Sequence, residues 1–192
     1  MKKALIGYGG HSREVMAQMG IKLTCFVDNE YVNENENTIP LSLFNPKEFV
    51  VMIAIADTKV RFDISQKLPK ETKYFTFIHP TSLIMSNVEI GEGSFVGAYS
   101  ILTSNIKIGK HSILNRGNHI GHDCNIGDYF SAMPGSIVSG NVNIGNKVYL
   151  GTNSSIKEKL TIIDNVTIGL NTGIVKSIDK SGTYVGQNTR LI

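Results

Sequence analysis

The chain has 192 residues and a formal net charge of +3, with 19 Lys and Arg set against 16 Asp and Glu. The basic residues are scattered rather than blocked, and no zinc-finger, zipper or RNP pattern occurs, so no nucleic-acid partner is expected. No window reaches the run of about 18 apolar residues that a membrane span needs, so no membrane insertion is expected. After Lys2 and Lys3 the apolar stretch Ala4 to Ile6 is too short for a signal sequence. The two cysteines, Cys25 and Cys124, are far apart and form no CxxC pair, which argues against a disulfide framework or a structural metal and suits a reducing cytoplasm.

Residues 1–77 read as a small α/β unit of βαβ, Rossmann-like type. Ala4-Leu5-Ile6 is a short strand, and Gly7-Tyr8-Gly9-Gly10 a turn rich in glycine. Ser12 is expected to cap a helix running to about Met19, and Lys22 to Val27 to form a second strand ending at Asp28. Phe49 to Ala56 reads as a third strand, Asp57 as the cap of a helix to about Leu68, and Lys73 to Ile78 as a fourth strand. A glycine turn between a strand and a helix N-terminus is an anion site, typically for phosphate. The alternative is that the glycines only let strand and helix approach closely. Gly9, Gly10 and His11 are therefore candidate substrate contacts. Asp28, about 20 residues downstream, stands where a ribose-binding acid belongs. A dinucleotide fingerprint would place a third glycine at Ser12, and the unit is short, so a mononucleotide or nucleotide-sugar fits better than NAD.

From Ile78 onward every sixth residue is aliphatic, through Ile84, Ile90, Val96, Leu102, Ile108, Leu114, Ile120 and Ile126 to Ile174. The one non-branched member is Ala132, and eight of these residues are followed directly by glycine. A period of six matches neither a helix nor a long strand. It matches a coil of three short faces whose aliphatic residues point inward, each coil needing neighbours to bury them. Four positions after each aliphatic a small or apolar residue, such as Ser94, Ser100, Cys124, Ser136 or Ser154, is expected near the inner corner. Residues 78–192 are thus read as a parallel β-helix with a C-terminal tail.

Five histidines are candidates for chemistry. His111 and His119 are placed at exposed positions of the repeat, His79 at the junction, His11 at the glycine turn. His122 precedes Asp123, and a carboxylate beside an imidazole orients it and raises its basicity.

Three segments together resemble the bacterial hexapeptide-repeat sugar acetyltransferases of the sialic acid O-acetyltransferase and nucleotide-amino-sugar N-acetyltransferase type. They are Ile6-Gly7-Tyr8-Gly9-Gly10-His11-Ser12-Arg13, Ile78-His79-Pro80-Thr81, and Asn115 to Asp128 with its His122-Asp123 pair. The resemblance covers the whole chain and implies a left-handed β-helix, acetyl-CoA as co-substrate with no metal, and a homotrimer. It implies His122 as general base, Asp123 as the acid that holds the imidazole, and Asn115 lining the acceptor site. Acetyl-CoA is then expected to pass Gly140, Gly151 and Ser154. Ser131 stands where relatives commonly carry a donor-contacting histidine, and Asn171 where they carry a glycine beside pantetheine. The implied activity is N-acetylation of a nucleotide-linked amino sugar, a 4-amino-4,6-dideoxyhexose by resemblance, for surface polysaccharide. The alternatives are O-acetylation of sialic acid or another sugar hydroxyl, and a β-helix that binds a nucleotide-sugar without turnover.

Overall fold

The computed structural model describes residues 1–33 and 36–186. The N-terminal unit is a five-stranded parallel sheet in the order β3-β2-β1-β4-β5, built from β1 (Lys2–Ile6), β2 (Thr24–Val27), β3 (Thr38–Pro40), β4 (Phe49–Ile53) and β5 (Lys73–Tyr74). Two ten-residue helices, α1 (Gly10–Met19) and α2 (Thr58–Lys67), connect the strands. Among the described residues, the connection from β2 to β3 carries the 3-10 turn Asn29–Tyr31 and no α-helix. Asp57 caps α2 as expected, its carboxylate accepting from the Val60 N–H at 2.8 Å.

Two expectations are corrected here. Ser12 is not the cap of α1; Gly9 is, and Ser12 lies one turn in, fully buried. Its hydroxyl accepts from the Gly9 N–H at 3.3 Å and lies 2.9 and 3.1 Å from the carbonyls of Gly7 and Ala54, fastening the helix start to the ends of two strands. Lys73 to Ile78 is not one strand. Lys73–Tyr74 pairs with β4, whereas Phe77–Ile78 pairs with Phe95–Val96 and already belongs to the repeat.

The repeat winds into three parallel sheets of six, five and seven strands, successive strands pairing 18 residues apart until the last, where Val166–Ile168 pairs with Gly182–Tyr184 at a spacing of 16. The first face carries strands such as His119–Ile120, the second Asn125–Ile126 and the third Ser131–Ala132. From Ile84 to Ile174 the aliphatic ladder fills the interior in one continuous core, whereas Ile78, expected to point inward, is 40% exposed because no coil precedes it. Where the ladder drops to Ala132, Phe130 is fully buried in the same core and offsets the missing volume.

Two features of the sequence turn out to do different work at each corner. The glycine after the aliphatic is needed for close approach: a Cβ on Gly109 or Gly127 would lie 2.4 or 2.7 Å from atoms of the next coil. The left-handed residue is two positions later, at Asn87, Gly93, Tyr99, Asn105, His111, Gly117, Asp123 and onward every sixth residue to Asn171. Asn and Asp tolerate this conformation and Tyr or His do so at a penalty, so the glycine pattern alone misplaces the bend.

The N-terminal unit seats on the outer side of the third face, where Phe95 and Ile113 join the core formed with Leu5, Val15 and Met52. Arg61 of α2 locks the contact. It is fully buried and donates to the carbonyls of His111, Ile55, Ala56, Tyr129 and Phe130 and to the Ser131 hydroxyl. His111 is likewise buried, 3% exposed, correcting its expected exposed place. Its ring stacks on Tyr129 at 5.1 Å and meets the edge of Tyr74 at 4.4 Å.

Replacing Arg61 with Met removes the donor that six oxygens share, three of which, the carbonyls of Ile55, His111 and Tyr129, have no other donor among the described residues, and a loss of about 3–5 kcal/mol is predicted in urea unfolding. Burial, then the charges of Arg61 and Lys110, pull the His111 imidazole down to about 4. A histidine depressed in the folded state stabilises fully above the unfolded value and loses that contribution as pH falls towards its folded value. Stability is therefore predicted to fall between about pH 6.5 and 4, by about 3 kcal/mol from this residue. His111→Asn, which suits the left-handed turn, is predicted to flatten that slope.

Candidate active site

Two separate constellations carry polar chemistry. The first lies at the corner between the first and second faces. His122 Nδ1 lies 2.7 Å from Asp123 Oδ2, and the imidazole is 58% exposed. Asp123 is at a left-handed corner position, φ 59°, which turns its side chain back alongside its neighbour's ring. The coil ladder holds both backbones: the Asp123 N–H donates to Ser104 O at 2.9 Å, and His122 O accepts from the Asn141 N–H at 2.8 Å. Hydrogen bonds from His122 and then Asn105 hold the Asp123 carboxyl below the usual range despite its exposure. A carboxylate can only accept, so the pair fixes the proton on Nδ1 and leaves the Nε2 lone pair free. Gly140, one coil on, lies under the ring; a Cβ there would stand 2.7 Å from Nε2. This predicted donor-site glycine is a clearance for the imidazole.

The second constellation is a cavity of about 400 Å³ at the carboxyl ends of β1 and β2, lined by Gly7, Tyr8, Gly9, Asp28, Glu30 and Tyr31 among others. Its glycines differ in purpose. Gly7 has φ 97° and a Cβ on it would meet Ile55 at 2.8 Å, so packing demands it. Cβ atoms on Gly9 and Gly10 would meet nothing within 4 Å. That open space lies over the first turn of α1, whose N–H groups have no intrahelical acceptor. Here the close-packing alternative accounts for Gly7 alone.

His11 does not face this cavity. Its ring points towards the β-helix, edge-on to Phe95 at 5.5 Å, with Nδ1 3.6 Å from Glu14 and both nitrogens buried without a hydrogen bond. Burial lowers its pKa, against the opposing effect of Glu14. Glu14 also accepts from Asn115 at 3.2 Å and pairs with Arg116. Burial works against the Glu14 charge, and the bonds from Asn115 and Arg116 outweigh it, leaving the carboxyl below its ordinary value. The structure thus brings His11 and Asn115 together through Glu14. Sequence reasoning missed Glu14 and Arg116; the only signal was the spacing of three from His11 to Glu14, one helical turn.

The residues expected along acetyl-CoA are not gathered in one protomer. Ser131 is fully buried, bonded to Arg61 and to Ala56 O at 2.7 Å, because the N-terminal unit covers the third face. Ser154 points into the prism, fully buried with its hydroxyl unpartnered, so it offers no surface to a ligand. Gly151 is buried against the next coil, and Asn171 is exposed on the corner between the third and first faces. Among the described residues no group of three His, Cys, Asp or Glu side chains could hold a metal ion, and no helix is long and apolar enough to cross a membrane.

No protein-family model matches the chain, and no curated protein sequence matches it. Solved structures do. WeeI from Acinetobacter baumannii AYE is 28% identical, with all of each chain covered and a TM-score of 0.86. A mutant perosamine N-acetyltransferase from Caulobacter crescentus, in complex with CoA and GDP-perosamine, is 23% identical over 97% of this chain and 94% of its own, with a TM-score of 0.85. The acetyltransferase domain of PglB from Neisseria gonorrhoeae, in complex with acetyl coenzyme A, is 24% identical over 96% of both chains, with a TM-score of 0.71.

Gly140→Ala is predicted to displace the imidazole and to lower any His122-dependent turnover about tenfold or more, since small misplacements of a reacting group are costly. Thermal unfolding of that variant, measured beside its kinetics, is expected to stay near the parent value, because the side chain can swing aside. From first strand to last coil, the chain shares its fold with the hexapeptide-repeat sugar acetyltransferases.

Proposed function

We propose that this chain is an acetyl-CoA-dependent N-acetyltransferase acting on the amino group of a nucleotide-linked amino sugar, with His122 as general base. The observation that carries the reading is the exposed His122-Asp123 pair, polarised at 2.7 Å with Nε2 left open above Gly140. The whole-length likeness to structures holding CoA and GDP-perosamine, or acetyl coenzyme A, supports it.

In this reading the N-terminal unit, ending just before Phe77, is a nucleotide-binding, doubly wound domain, and the repeat that follows is a left-handed β-helix with a C-terminal tail, of which residues 187–192 lie outside the described residues. The cavity lies at the carboxyl ends of the strands, beside the point where strand order reverses, which is where such sheets bind ligands. Gly9 and Gly10 present the helix N-terminus to the phosphates, and Asp28 serves the ribose or base. The unprotonated sugar amine attacks the thioester carbonyl while His122 Nε2 removes its proton. Asp123 stabilises the resulting imidazolium, and His122 then returns the proton to the departing thiolate. Donor contact is assigned to the corner at Gly140 and to Asn171 on a neighbouring protomer.

In this reading the two halves of the site come from different protomers. The N-terminal unit occupies the third face and its two bounding corners, through Ala98, Asn115 and Arg116 on one side and His111, Tyr129 and Lys147 on the other. His122 stands on the remaining corner. The first face, outward through Leu83, Ile101, His119 and Ile137, carries exposed aliphatics, with Leu83 50% and Ile137 43% exposed. The second face presents Glu89, Lys107, Asn125 and Asn143 instead. The first face is the assembly surface of a homotrimer in this proposal, bringing one protomer's His122 to another's acceptor cavity.

Loss of a general base lowers rates by about 10²–10⁴-fold. His122→Ala is therefore predicted to lose at least about a hundredfold in kcat with assembly intact, and Asp123→Asn to lose less. Thiol release from acetyl-CoA, with UDP-, dTDP- and GDP-linked amino sugars and their hydroxyl counterparts as acceptors, reads both. Near-parental turnover by His122→Ala contradicts the mechanism, and transfer only to hydroxyls contradicts N-acetylation. Ile137→Glu is predicted to shift sedimentation towards monomer and to abolish turnover together.

A further inference from the structure

At the corner that carries His122, four successive coils place Asn87, Asn105, Asp123 and Asn141 at the left-handed position, with φ between 56° and 59°. Backbone conformation alone does not require amides there. At the other two corners the same position holds Tyr99, His111, Tyr129 and Lys147 as well as glycines. What sets this corner apart among the described residues is that three of its left-handed side chains, Asn87, Asn105 and Asp123, bond each to the next. Asn87 Nδ2 donates to Asn105 Oδ1 at 3.1 Å, and Asn105 Nδ2 donates to Asp123 Oδ1 at 3.1 Å. Asp123 Oδ2 then faces His122 Nδ1 at 2.7 Å.

Chemistry fixes the direction of this run. An ionised carboxylate accepts only, so Asn105 must turn its NH₂ towards Asp123, and its oxygen is left facing back along the corner. Asn87 supplies the one side-chain donor bonded to that oxygen. Each amide therefore orients the next, and the last group oriented is the carboxylate that holds the imidazole.

We infer that Asn105, itself oriented by Asn87, is a positioning residue for the His122-Asp123 pair. By occupying Oδ1 it stops the exposed carboxylate from rotating away and presents Oδ2 to Nδ1. The inference rests on His122 being the general base. The bond from Asn105 also helps keep the carboxyl ionised, after the larger effect of His122 itself. Partners behind a catalytic group typically change activity about 10–100-fold when lost. Other charged groups near the pair are Glu89 and Lys107, which line the same hollow, His119 on the first face, and Glu158 and Lys159 two coils further along the corner. None is altered in the variants below.

The test uses the full chain in its assembled form. Asn105→Gly keeps the left-handed turn and removes the amide. Asn105→Asp keeps the shape but replaces the donor with a second acceptor and an added negative charge. Asn153→Gly, at a left-handed position on another corner, controls for backbone effects. Asn105→Gly is expected to lower kcat about tenfold, with KM for both substrates within about twofold of the parent. Asn105→Asp is expected to move the acid limb of kcat/KM upward by about half a pH unit, because negative charge favours the imidazolium. Asn153→Gly is expected to change neither. Parental kcat and an unmoved acid limb in both Asn105 variants, while His122→Ala stays inactive, overturn the positioning role alone. A loss in Asn105→Gly that merely tracks a lower Tm, with the limb of Asn105→Asp unmoved, also overturns it. A parent enzyme indifferent to His122→Ala overturns the general-base reading, and this inference with it.

Discussion

The stacking of one coil on the next at intervals of 18 residues is the constraint from which the rest follows. Each coil donates to the carbonyls of its neighbour, as Gly109 does to Ile126 O and Gly121 to Val138 O, both at 2.8 Å. Where glycine follows the inward aliphatic, as at Gly109 and Gly127, that spacing leaves no room for a Cβ, and the corner residue two positions later is left-handed. It also sets equivalent side chains one above another, so that chemistry can be built as a ladder. His122 over Gly140 and the amide run ending at Asp123 are both products of it. A rigid backbone is the setting in which an exposed imidazole can be preorganised, since its rotamer rather than its main chain is all that must be held.

Placement of the N-terminal unit is the second determinant. Arg61 satisfies six oxygens at once, with no carboxylate among them, and ties α2 to two successive coils. Burying a guanidinium is tolerated only when its donors are so fully used. The consequence is geometric: the cavity at the carboxyl ends of β1 and β2 is fixed to one side of the prism and the His122 corner stands on the other. The exposed aliphatic strip of the first face is the surface assigned to assembly in the proposed trimer.

Much of this was legible in the sequence, and the failures have identifiable causes. The six-residue ladder revealed the β-helix because its period belongs to no other element. The His122-Asp123 pair was legible because adjacent residues at a tight corner stay adjacent in space. Buried polar groups were not. His111 reads as a surface histidine until Tyr74, Tyr129 and Arg61, distant in sequence, close around it. Ser131 and Ser154 were assigned to a ligand by analogy of position, while one is covered by a packed domain and the other points inward. The joining of His11 to Asn115 through Glu14 likewise depends on a contact across about a hundred residues, and periodicity carries no information on contacts of that range.

The claim that one protomer supplies the base and another the acceptor cavity is tested most directly by subunit complementation. Gly9→Asp places a carboxylate in the open space over the helix N-terminus, where it repels phosphate, and His122→Ala removes the base. Each is inactive alone in this account. Refolded together in equal amounts they regain turnover at about one site in four, because random assembly pairs an intact corner with an intact cavity that often. A mixture as inactive as its two components contradicts a shared site.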